Sequence, residues 1–448
     1  MPVSRSRVAA FDVLLAVERE SAYASDLLHS QRYQHLSSQD HGLLIELVMG
    51  VLRWRSLLDR HIAEAAARPL QKLDIEVLTA LRLAAYQLMF LDRVPASAAV
   101  NESVELVKRS RKHSAIPFAN AVLRKLSTTR NNLDQAEGKS GISQLSDSFA
   151  HPTWLVERWT RQYGDSTPQK ICEYDQGIPE TSIRLTDSSI EGELQREGIE
   201  LSPGKLLKSA RRVQSGNLTG TAAFREGRVS IQDEASQLVA LLVGKGSTIL
   251  DCCAAPGGKT RILAERNSNA SVVAMDLHPH RARLLRKLVP AKNVHVVAGD
   301  ILQLPTNFRF DRVLVDAPCS GTGTLARNPE IKWRMTVEDI ADLQARQIAI
   351  LQSAMRHVAP AGRLVYSTCS LEHEENSDVV EKALREDNSF HLVSCREELE
   401  RLRSEDELAR NENYTDSLVS GTYLETIPGK HPCDGFFAAL MEKRLTEF

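Results

Sequence analysis

Two cysteines in similar sequence contexts are the residues of this chain whose type and position best suit covalent chemistry. Cys319 lies in VDAPCSGTG, behind a proline at the predicted end of a buried strand, and Cys369 lies at the predicted end of another strand in VYSTCS. An isolated buried cysteine usually packs as a small hydrophobic residue, but two at neighbouring strand ends favour a shared chemical role. For four of the other cysteines we expect structural roles: Cys172, Cys252, Cys395 and Cys433.

Four aspartates end predicted strands of the same region. They are Asp251, Asp276, Asp300 and Asp316. In a parallel sheet the carboxyl ends of the strands meet at one edge, where doubly wound sheets bind their ligands. Asp276 suits hydrogen bonds from both hydroxyls of a ribose, and Asp300 suits one from an exocyclic amine. A single aspartate at a strand end often caps the next helix, but four at one edge indicate a binding site.

A glycine turn after the first of these strands restricts the choice of cofactor. In LDCCAAPGGKT, Gly257 and Gly258 would let the backbone pass close to a ligand. The spacing is neither GxGxxG nor GxxxxGKT, so it predicts neither a dinucleotide loop nor a nucleoside triphosphate loop. Together with the aspartates, the turn predicts an adenosine-type cofactor held without a phosphate clamp, which is S-adenosylmethionine.

The turn after the fourth strand indicates which kind of atom would receive a methyl group. An amino-methyltransferase acting on a base carries an aromatic residue there, whereas this chain has Asp316-Ala317-Pro318-Cys319. A thiolate suits an inert carbon, because its addition to C6 of a pyrimidine makes C5 nucleophilic. Spacing alone leaves open which of the two cysteines would form that bond.

The spacing of apolar residues divides the chain into regions of different fold. Residues 1–130 have helical spacing throughout, for example over residues 43–62, and predict an all-α bundle. Residues 131–150 are polar and aperiodic and predict a linker. Residues 151–235 predict a small α+β subdomain. In residues 236–448 short strands alternate with helices, which predicts a Rossmann-like α/β domain.

Composition restricts the class of protein and its partners. Hydrophobic residues make up 42% and charged residues 25% of the 448 residues, as in a soluble globular protein. The sequence has no long apolar run and no Cys/His metal spacing, so we expect a cytoplasmic protein with neither membrane nor metal. Residues 1–130 hold 18 Lys and Arg against 13 Asp and Glu, although the whole chain has a net charge of −2. This excess would orient the chain on a polyanion, and part of it is the basic cluster Lys108, Arg109, Arg111 and Lys112.

Several segments resemble those of a known family. LDCCAAPGGKT, MDLHPHR, DAPCSGTGTLARNPEIKW, YSTCSLEHEEN and DGFFAALMEK resemble, in order, the motif series of the RNA cytosine-C5 methyltransferases. The amino-terminal segments SAYASDLL, LRLAAYQLMFLDRVPASAAVNESVELVK and FANAVLRKL are similar to the NusB-like RNA-binding domain. The combination resembles the bacterial enzymes that methylate small-subunit (16S) ribosomal RNA. It implies a multidomain chain with a NusB-like bundle and a class I S-adenosylmethionine methyltransferase domain.

The resemblance also implies roles for individual residues. Cys369 would be the nucleophile, Cys319 would help to release the enzyme after transfer, and residues 151–235 would contact RNA. We expect a monomer whose partner is ribosomal RNA of the small subunit. The residues expected to bind the cofactor, with some help from Arg281, are Cys253, Ala254, Ala255, Pro256, Gly257, Gly258, Lys259, Asp276, Asp300 and Asp316.

Two other functions fit parts of the sequence. A DNA or small-molecule methyltransferase would share the sheet, but would have no use for the second strand-end cysteine and the helical RNA-binding region. A NusB-like RNA-binding protein whose methyltransferase fold is inert would tolerate loss of either cysteine or of Asp276, and all three residues are present. A related protein could also act on another RNA. The sequence favours the RNA cytosine-C5 methyltransferase and leaves open which cytosine is modified.

Overall fold

The chain forms two compact units, each of which is described by itself. One unit consists of Met1–Ile178 with Leu325–Arg334, and the other of Pro179–Thr324 with Met335–Phe448. The described residues of the first unit form helices, and both β-sheets belong to the second, which confirms the predicted fold class. The computed structural model describes residues 3–20, 22–33, 35–128, 141–187, 189–305, 307–409, 414 and 416–445.

The elements are numbered in chain order. The α-helices are α1 Arg5–Glu20, α2 Ala24–Leu28, α3 Ser38–Arg53, α4 Arg55–Ala66, α5 Ile75–Phe90, α6 Ala96–Arg109, α7 Ile116–Thr128, α8 Ile142–Ser148, α9 Thr153–Tyr163, α10 Thr167–Gln176, α11 Ser189–Arg196, α12 Ala222–Arg225, α13 Glu234–Leu242, α14 Gly258–Arg266, α15 Pro279–Leu288, α16 Ile331–Arg334, α17 Val337–Met355, α18 Ser377–Glu386 and α19 Cys395–Ser404. The β-strands are β1 Thr181–Leu185, β2 Glu200–Pro203, β3 Ala210–Ser215, β4 Val229–Ile231, β5 Thr248–Asp251, β6 Ser271–Asp276, β7 Val294–Ala298, β8 Phe310–Asp316, β9 Val358–Thr368, β10 Phe390–Val393, β11 Val419–Ser420, β12 Tyr423–Thr426 and β13 Phe436–Lys443. Within the described parts of the chain, we find no helix with the length and apolar character needed to span a membrane.

Helix α5 is the buried central helix of the first unit. Every residue from Val77 to Leu88 is buried, because the helix is apolar on nearly all sides and packs against several neighbouring helices. Two of its buried polar side chains have partners: Arg82 donates to both carboxylate oxygens of Asp59 at 2.7 Å, and Gln87 accepts from Arg7 Nε at 2.6 Å. Arg82 and Gln87 are therefore buried in hydrogen-bonded pairs, which offsets the cost of removing them from water.

The apolar pattern over residues 43–62 belongs to two helices rather than one. Helix α3 ends at Arg53 and α4 begins at Arg55. Trp54, between them, has φ of −99° and ψ of 13°, and its ring stacks on Phe90 with centroids 4.9 Å apart. The spacing predicted the buried face, but it continues across the break and therefore could not reveal it. Most of the predicted linker, residues 131–140, lies outside the described residues, and the remainder contains α8.

A segment from the second half of the chain completes the first unit. Within Leu325–Arg334, Trp333 Nε1 donates to Leu52 O at 2.6 Å and Arg334 Nη2 donates to Val17 O at 2.6 Å. The segment also accepts hydrogen bonds, since Arg53 Nη2 donates to the main chain of residue 326 at 3.0 Å. Part of the DAPCSGTGTLARNPEIKW motif therefore folds with the amino-terminal helices.

The second unit contains two sheets. The smaller has the strand order β2-β3-β1-β4 and is antiparallel. In the larger, β7-β6-β5-β8-β9 are parallel, and β13 continues the sheet antiparallel to β9, followed by β12 and β11, while β10 also pairs with β13. The buried strands β5, β8 and β9 are rich in Val, Leu and Ile, as a sheet covered on both faces requires.

Two glycines of α3 provide a test of packing in the first unit. A Cβ at Gly50 would overlap the Tyr86 ring, whereas a Cβ at Gly42 would meet nothing within 4 Å. We expect Gly50→Ala to destabilise the protein by about 1–3 kcal/mol, because Tyr86 must move away from its hydrogen bond with Glu46. Gly42→Ala, the matched control, should stabilise the helix by up to about 1 kcal/mol. Urea unfolding measures both, and similar effects of the two substitutions would contradict this packing.

Lys332 is a buried amine of the first unit. The residue is 1% exposed, and its Nζ has no hydrogen-bond partner among the described residues. Burial lowers the pKa of Lys332 to about 7, an effect that Asp175 and Cys172 oppose and Arg53 reinforces. The folded protein therefore favours the neutral amine above that pH.

The free energy of unfolding should consequently rise with pH above about 7. The unfolded chain keeps the Lys332 proton up to the ordinary pKa of 10.5, while the folded chain releases it near 7, so the unfolded state binds more protons between these values. The contribution is about 1 kcal/mol per pH unit in that window. Lys332→Met should remove it, which urea titrations of both proteins from pH 7 to 9 would reveal. Parallel pH profiles would show that Lys332 is not buried in this way.

Candidate active site

The larger sheet brings most of the predicted site residues to one edge. Strands β5, β6 and β8 end at Asp251, Asp276 and Asp316, and β9 ends immediately before Cys369. Asp300 follows the end of β7 after a short interval. Because these five strands are parallel, their carboxyl ends lie on the same side. No cluster of His, Cys, Asp or Glu suited to a metal ion occurs in the described ranges.

The predicted cofactor loop connects β5 to α14. Ala254 N donates to Met275 O at 2.8 Å and Ala255 N donates to Asp276 Oδ2 at 3.3 Å, so the loop is held against the end of β6. Gly257 has φ of 116°, and a Cβ there would lie 2.5 Å from a methyl group of Leu285. Only glycine fits this position without strain. The remaining loop residues Cys253, Gly258 and Lys259 are half-buried, and Pro256 is exposed.

Asp276 and Asp300 differ in their surroundings. The Asp276 carboxylate accepts from His278 N at 3.0 Å and from the cofactor loop, and Arg281 Nε lies 3.8 Å from Oδ2. Asp300 Oδ1 accepts from Leu302 N at 3.0 Å and so caps a short helical turn. Asp276 thus links the loop to the strand end, while Asp300 also has the helix-capping contact that is common for an aspartate after a strand.

Asp251, at the end of β5, is buried. It is 1% exposed, and its Oδ2 accepts from Thr260 Oγ1 at 2.7 Å. The pKa of Asp251 is raised to about 7, mainly by burial; the hydrogen bond from Thr260 lowers it and the nearby Asp316 carboxylate raises it. The contact with Thr260 joins β5 to α14, which is a structural role.

Lys259 and Asp316 form an ion pair at the end of β8. Lys259 Nζ donates to Asp316 Oδ2 at 2.8 Å, and Ser367 Oγ donates to Asp316 Oδ1 at 2.8 Å. Burial by itself would lower the pKa of Lys259, but Asp316, their hydrogen bond and Cys369 together raise it. The ammonium group also lies 5.1 Å from the centre of the Phe436 ring. Lys259 is therefore a cation held in place by Asp316, and it interacts electrostatically with Cys369.

The two predicted catalytic thiols lie next to each other. Cys319 Sγ and Cys369 Sγ are 3.3 Å apart, and both cysteines are free. The main-chain N–H of Cys369 also donates to Cys319 Sγ at 3.3 Å. The hydrogen bond between the thiols, burial and the nearby Glu375 hold the pKa of Cys319 well above its ordinary value. Cys319 therefore keeps its proton at neutral pH.

Sequence reasoning missed Glu375, which contacts the loops of both cysteines. Glu375 is 0% exposed and accepts from Ser320 N at 2.8 Å, from Ser370 Oγ at 2.5 Å and from Gln347 Nε2 at 2.9 Å. A signal was present in YSTCSLEHEEN, which places several acidic residues soon after Cys369. The pattern could not reveal which of them turns inwards.

Comparison with known proteins identifies the family that has this architecture. A family model described as 16S rRNA methyltransferase RsmB/F matches residues 238–442, and a NusB family model matches residues 4–128. A probable ribosomal RNA small subunit methyltransferase B from Bacillus subtilis is 33% identical over 456 residues, which cover 98% of each chain. The chain belongs to the RsmB/F family of 16S rRNA methyltransferases.

Further relatives agree with this family. A ribosomal RNA small subunit methyltransferase B from Vibrio cholerae is 31% identical and covers 92% of this chain and 91% of its own. The crystal structure of a protein named PH0851 has a TM-score of 0.81 at 25% identity and covers 98% of both chains. NSun6 from Pyrococcus horikoshii, whose crystal structure was solved with SFG, shares the fold with a TM-score of 0.55 at 20% identity, over 65% of this chain and 98% of its own. The predicted resemblance to the bacterial 16S ribosomal RNA methyltransferases with a NusB-like domain is confirmed.

Proposed function

We propose that this chain transfers a methyl group from S-adenosylmethionine to C5 of a cytosine in 16S ribosomal RNA, through a covalent bond between Cys369 and C6. One observation carries the proposal: two free thiols lie 3.3 Å apart at the carboxyl edge of a Rossmann-like sheet. A thiol nucleophile is needed to activate a pyrimidine carbon and is not needed to methylate an amine. The family and the names of its members support ribosomal RNA as the substrate.

The loop between β5 and α14 and the Asp276 carboxylate fit S-adenosylmethionine. Asp276 accepts two main-chain N–H groups, and a carboxylate has about four acceptor sites, so it can also accept from ribose hydroxyls. Residues 253–259 would line the cofactor through their backbone, and Asp300 and Asp316 would contribute the further carboxylates at this edge. When bound, S-adenosylmethionine supplies an activated methyl group.

Electrostatics support Cys369, rather than Cys319, as the nucleophile. The Lys259 cation, held by Asp316, interacts with Cys369, and a neighbouring cation stabilises a thiolate. The pKa of Cys319 is raised by its hydrogen bond to Cys369, by burial and by Glu375. The two thiols therefore have unlike surroundings, which is a physical argument that spacing could not provide.

The expected sequence of bonds follows from this difference. Cys369 Sγ, as the thiolate, would bond to C6, and C5 would then take the methyl group as the bond between the methyl and the sulfonium sulfur breaks, which leaves S-adenosylhomocysteine. C5 next loses its proton to water, and the released electron pair restores the C5–C6 double bond while the C6–Sγ bond breaks. Cys319 Sγ lies 3.3 Å from Cys369 Sγ and would donate a hydrogen bond to the departing Cys369 thiolate. This would promote release of the methylated RNA.

The amino-terminal region would dock the RNA. In the basic cluster, Lys108 and Lys112 are ion-paired with acidic residues of the same unit. Arg109 and Arg111 are exposed and have no ion pair within the described ranges. These two arginines are therefore the members of the cluster best suited to contact phosphates.

We infer that the three regions of the chain have different functions. Residues 1–130 would bind RNA, residues 151–235 would form an RNA-contacting subdomain, and residues 236–448 would carry out methyl transfer. Extrusion of the target base is expected, because C6 cannot be reached in a stacked helix. Since its substrate is ribosomal RNA, the protein would act in the cytoplasm, and we infer a monomer.

Substitution of each cysteine tests the covalent mechanism. Cys369→Ala should abolish methyl transfer because no thiol can add to C6, while cofactor affinity should change little. Cys319→Ala should stall after methylation and accumulate a protein–RNA adduct. The adduct would migrate slowly on a denaturing gel, be sensitive to RNase and be absent from the double variant. Turnover by Cys369→Ala near the wild-type rate would exclude Cys369 as the nucleophile.

Asp276→Ala tests the cofactor site. Loss of hydrogen bonds to a ribose should weaken the binding of S-adenosylmethionine by about 1–3 kcal/mol in calorimetry. Asp342→Ala, which removes an exposed carboxylate of α17, is the matched control and should leave the affinity unchanged. Equal affinities of the wild type and Asp276→Ala would remove Asp276 from the site.

A further inference from the structure

Glu375 connects the two loops that carry the cysteines. Ser320, which follows Cys319, donates through its main-chain N–H to Glu375 Oε1 at 2.8 Å, and its hydroxyl donates to Oε2. Ser370, which follows Cys369, donates through its hydroxyl to the same Oε2 at 2.5 Å. One carboxylate therefore holds the residue next to each thiol.

The position of Glu375 is itself fixed from two further elements. Gln347 of α17 donates from Nε2 both to Glu375 Oε1 at 2.9 Å and to Pro318 O at 2.9 Å. Tyr366 of β9 donates from its hydroxyl to the main-chain oxygen of Glu375 at 2.7 Å. The carboxylate thus has little freedom to move away from the thiols.

The charge of Glu375 is not explained by packing alone. The side chain is 0% exposed, and it forms no ion pair within the described part of the chain. Its donors are neutral amide and hydroxyl groups. A buried carboxylate without a cation is unfavourable, and a glutamine could make comparable hydrogen bonds if the serine hydroxyls rotated.

We propose that Glu375 is a positioning residue that sets the close approach of the two thiols and, by its negative charge, keeps the proton on Cys319. A carboxylate beside Cys319 opposes a second negative charge there, whereas the charged group that interacts with Cys369 is the Lys259 cation. The charge of Glu375 would thereby make the two thiols, which are chemically identical, differ in their reactivity. The assignment to methyl transfer rests on the proposed function, but the effect on the thiols does not.

Alkylation of the thiols tests the charge effect without RNA or cofactor. The rate of Cys319 modification by iodoacetamide, followed by mass spectrometry of the full-length protein from pH 6 to 10, reports the thiolate fraction at that residue. In Glu375→Gln the rate of Cys319 modification within this pH range should rise by about tenfold, because the nearby negative charge is gone. Glu375→Asp retains the charge and should show a rate close to that of the wild type.

Glu374 provides a matched control for the effect of the Glu375 charge on Cys319. Glu374→Gln removes the adjacent carboxylate, which pairs with His373, and should leave the Cys319 profile unchanged. Circular dichroism and thermal unfolding would verify that each variant is folded. If the folded Glu375→Gln protein shows the wild-type Cys319 profile, the proposal is overturned, whatever reaction the enzyme catalyses.

Turnover supplies the second readout. In Glu375→Gln we expect kcat for methyl transfer to fall by about tenfold to a hundredfold, with KM for RNA changed by less than about twofold, because only the thiols are affected. A parallel rise in KM without loss of kcat would contradict a positioning role. Failure of the wild type to methylate cytosine would instead disprove the proposed function and leave the alkylation result to decide the role of Glu375.

Discussion

The parallel pairing of β8 with β9 is the constraint on which the site depends. Asp316 pairs with Ser367 in this register, and a hydrogen bond of 2.8 Å joins their side chains. Since both strands end at the same level, the chain segments that follow them leave the sheet side by side and carry Cys319 and Cys369 to a sulfur–sulfur distance of 3.3 Å. A slip of one residue would turn alternate side chains to the opposite face and separate these groups.

Local sequence was sufficient to predict the five parallel strands of the larger sheet and the residues at their ends, but not its antiparallel strands β10 to β13. The apolar runs before Asp276 and Asp316, and the glycine turn, are encoded within a few residues, so pattern alone located them. Glu375 could not be found in this way, because its partners come from three separate segments of the chain. The break at Trp54 and the packing of residues 325–334 with the amino-terminal helices likewise depend on tertiary contacts that no local pattern records.

Charge distinguishes the thiol pair from other buried ionisable groups of this protein. Burial moves the pKa of Asp251 and that of Lys332 to about 7. Each group can therefore become neutral near this pH, which removes the cost of keeping a charge in the protein interior. At the thiol pair, by contrast, a hydrogen-bonded cation, Lys259, interacts with one sulfur, and the Glu375 carboxylate interacts with the other. The two sulfurs therefore have neighbours of opposite charge, a difference that uniform burial could not produce.

Close backbone contacts hold the Cys319 loop on its other flank. Gly323 N donates to the main-chain oxygen of Cys369 at 2.9 Å, and Gly435 N donates to Gly323 O at 2.7 Å. A Cβ at Gly323 would overlap the carbonyl of Gly435, and a Cβ at Gly435 would lie 2.8 Å from Gly323 Cα. This explains the glycines in two motifs that are distant in sequence, GTG and DGFF, because only glycine permits the two backbones to approach so closely. With Glu375 holding Ser320 and the glycine pair holding Gly323, the loop is fixed on both sides of the sulfur, so the separation of the thiols depends on backbone geometry rather than on side-chain freedom.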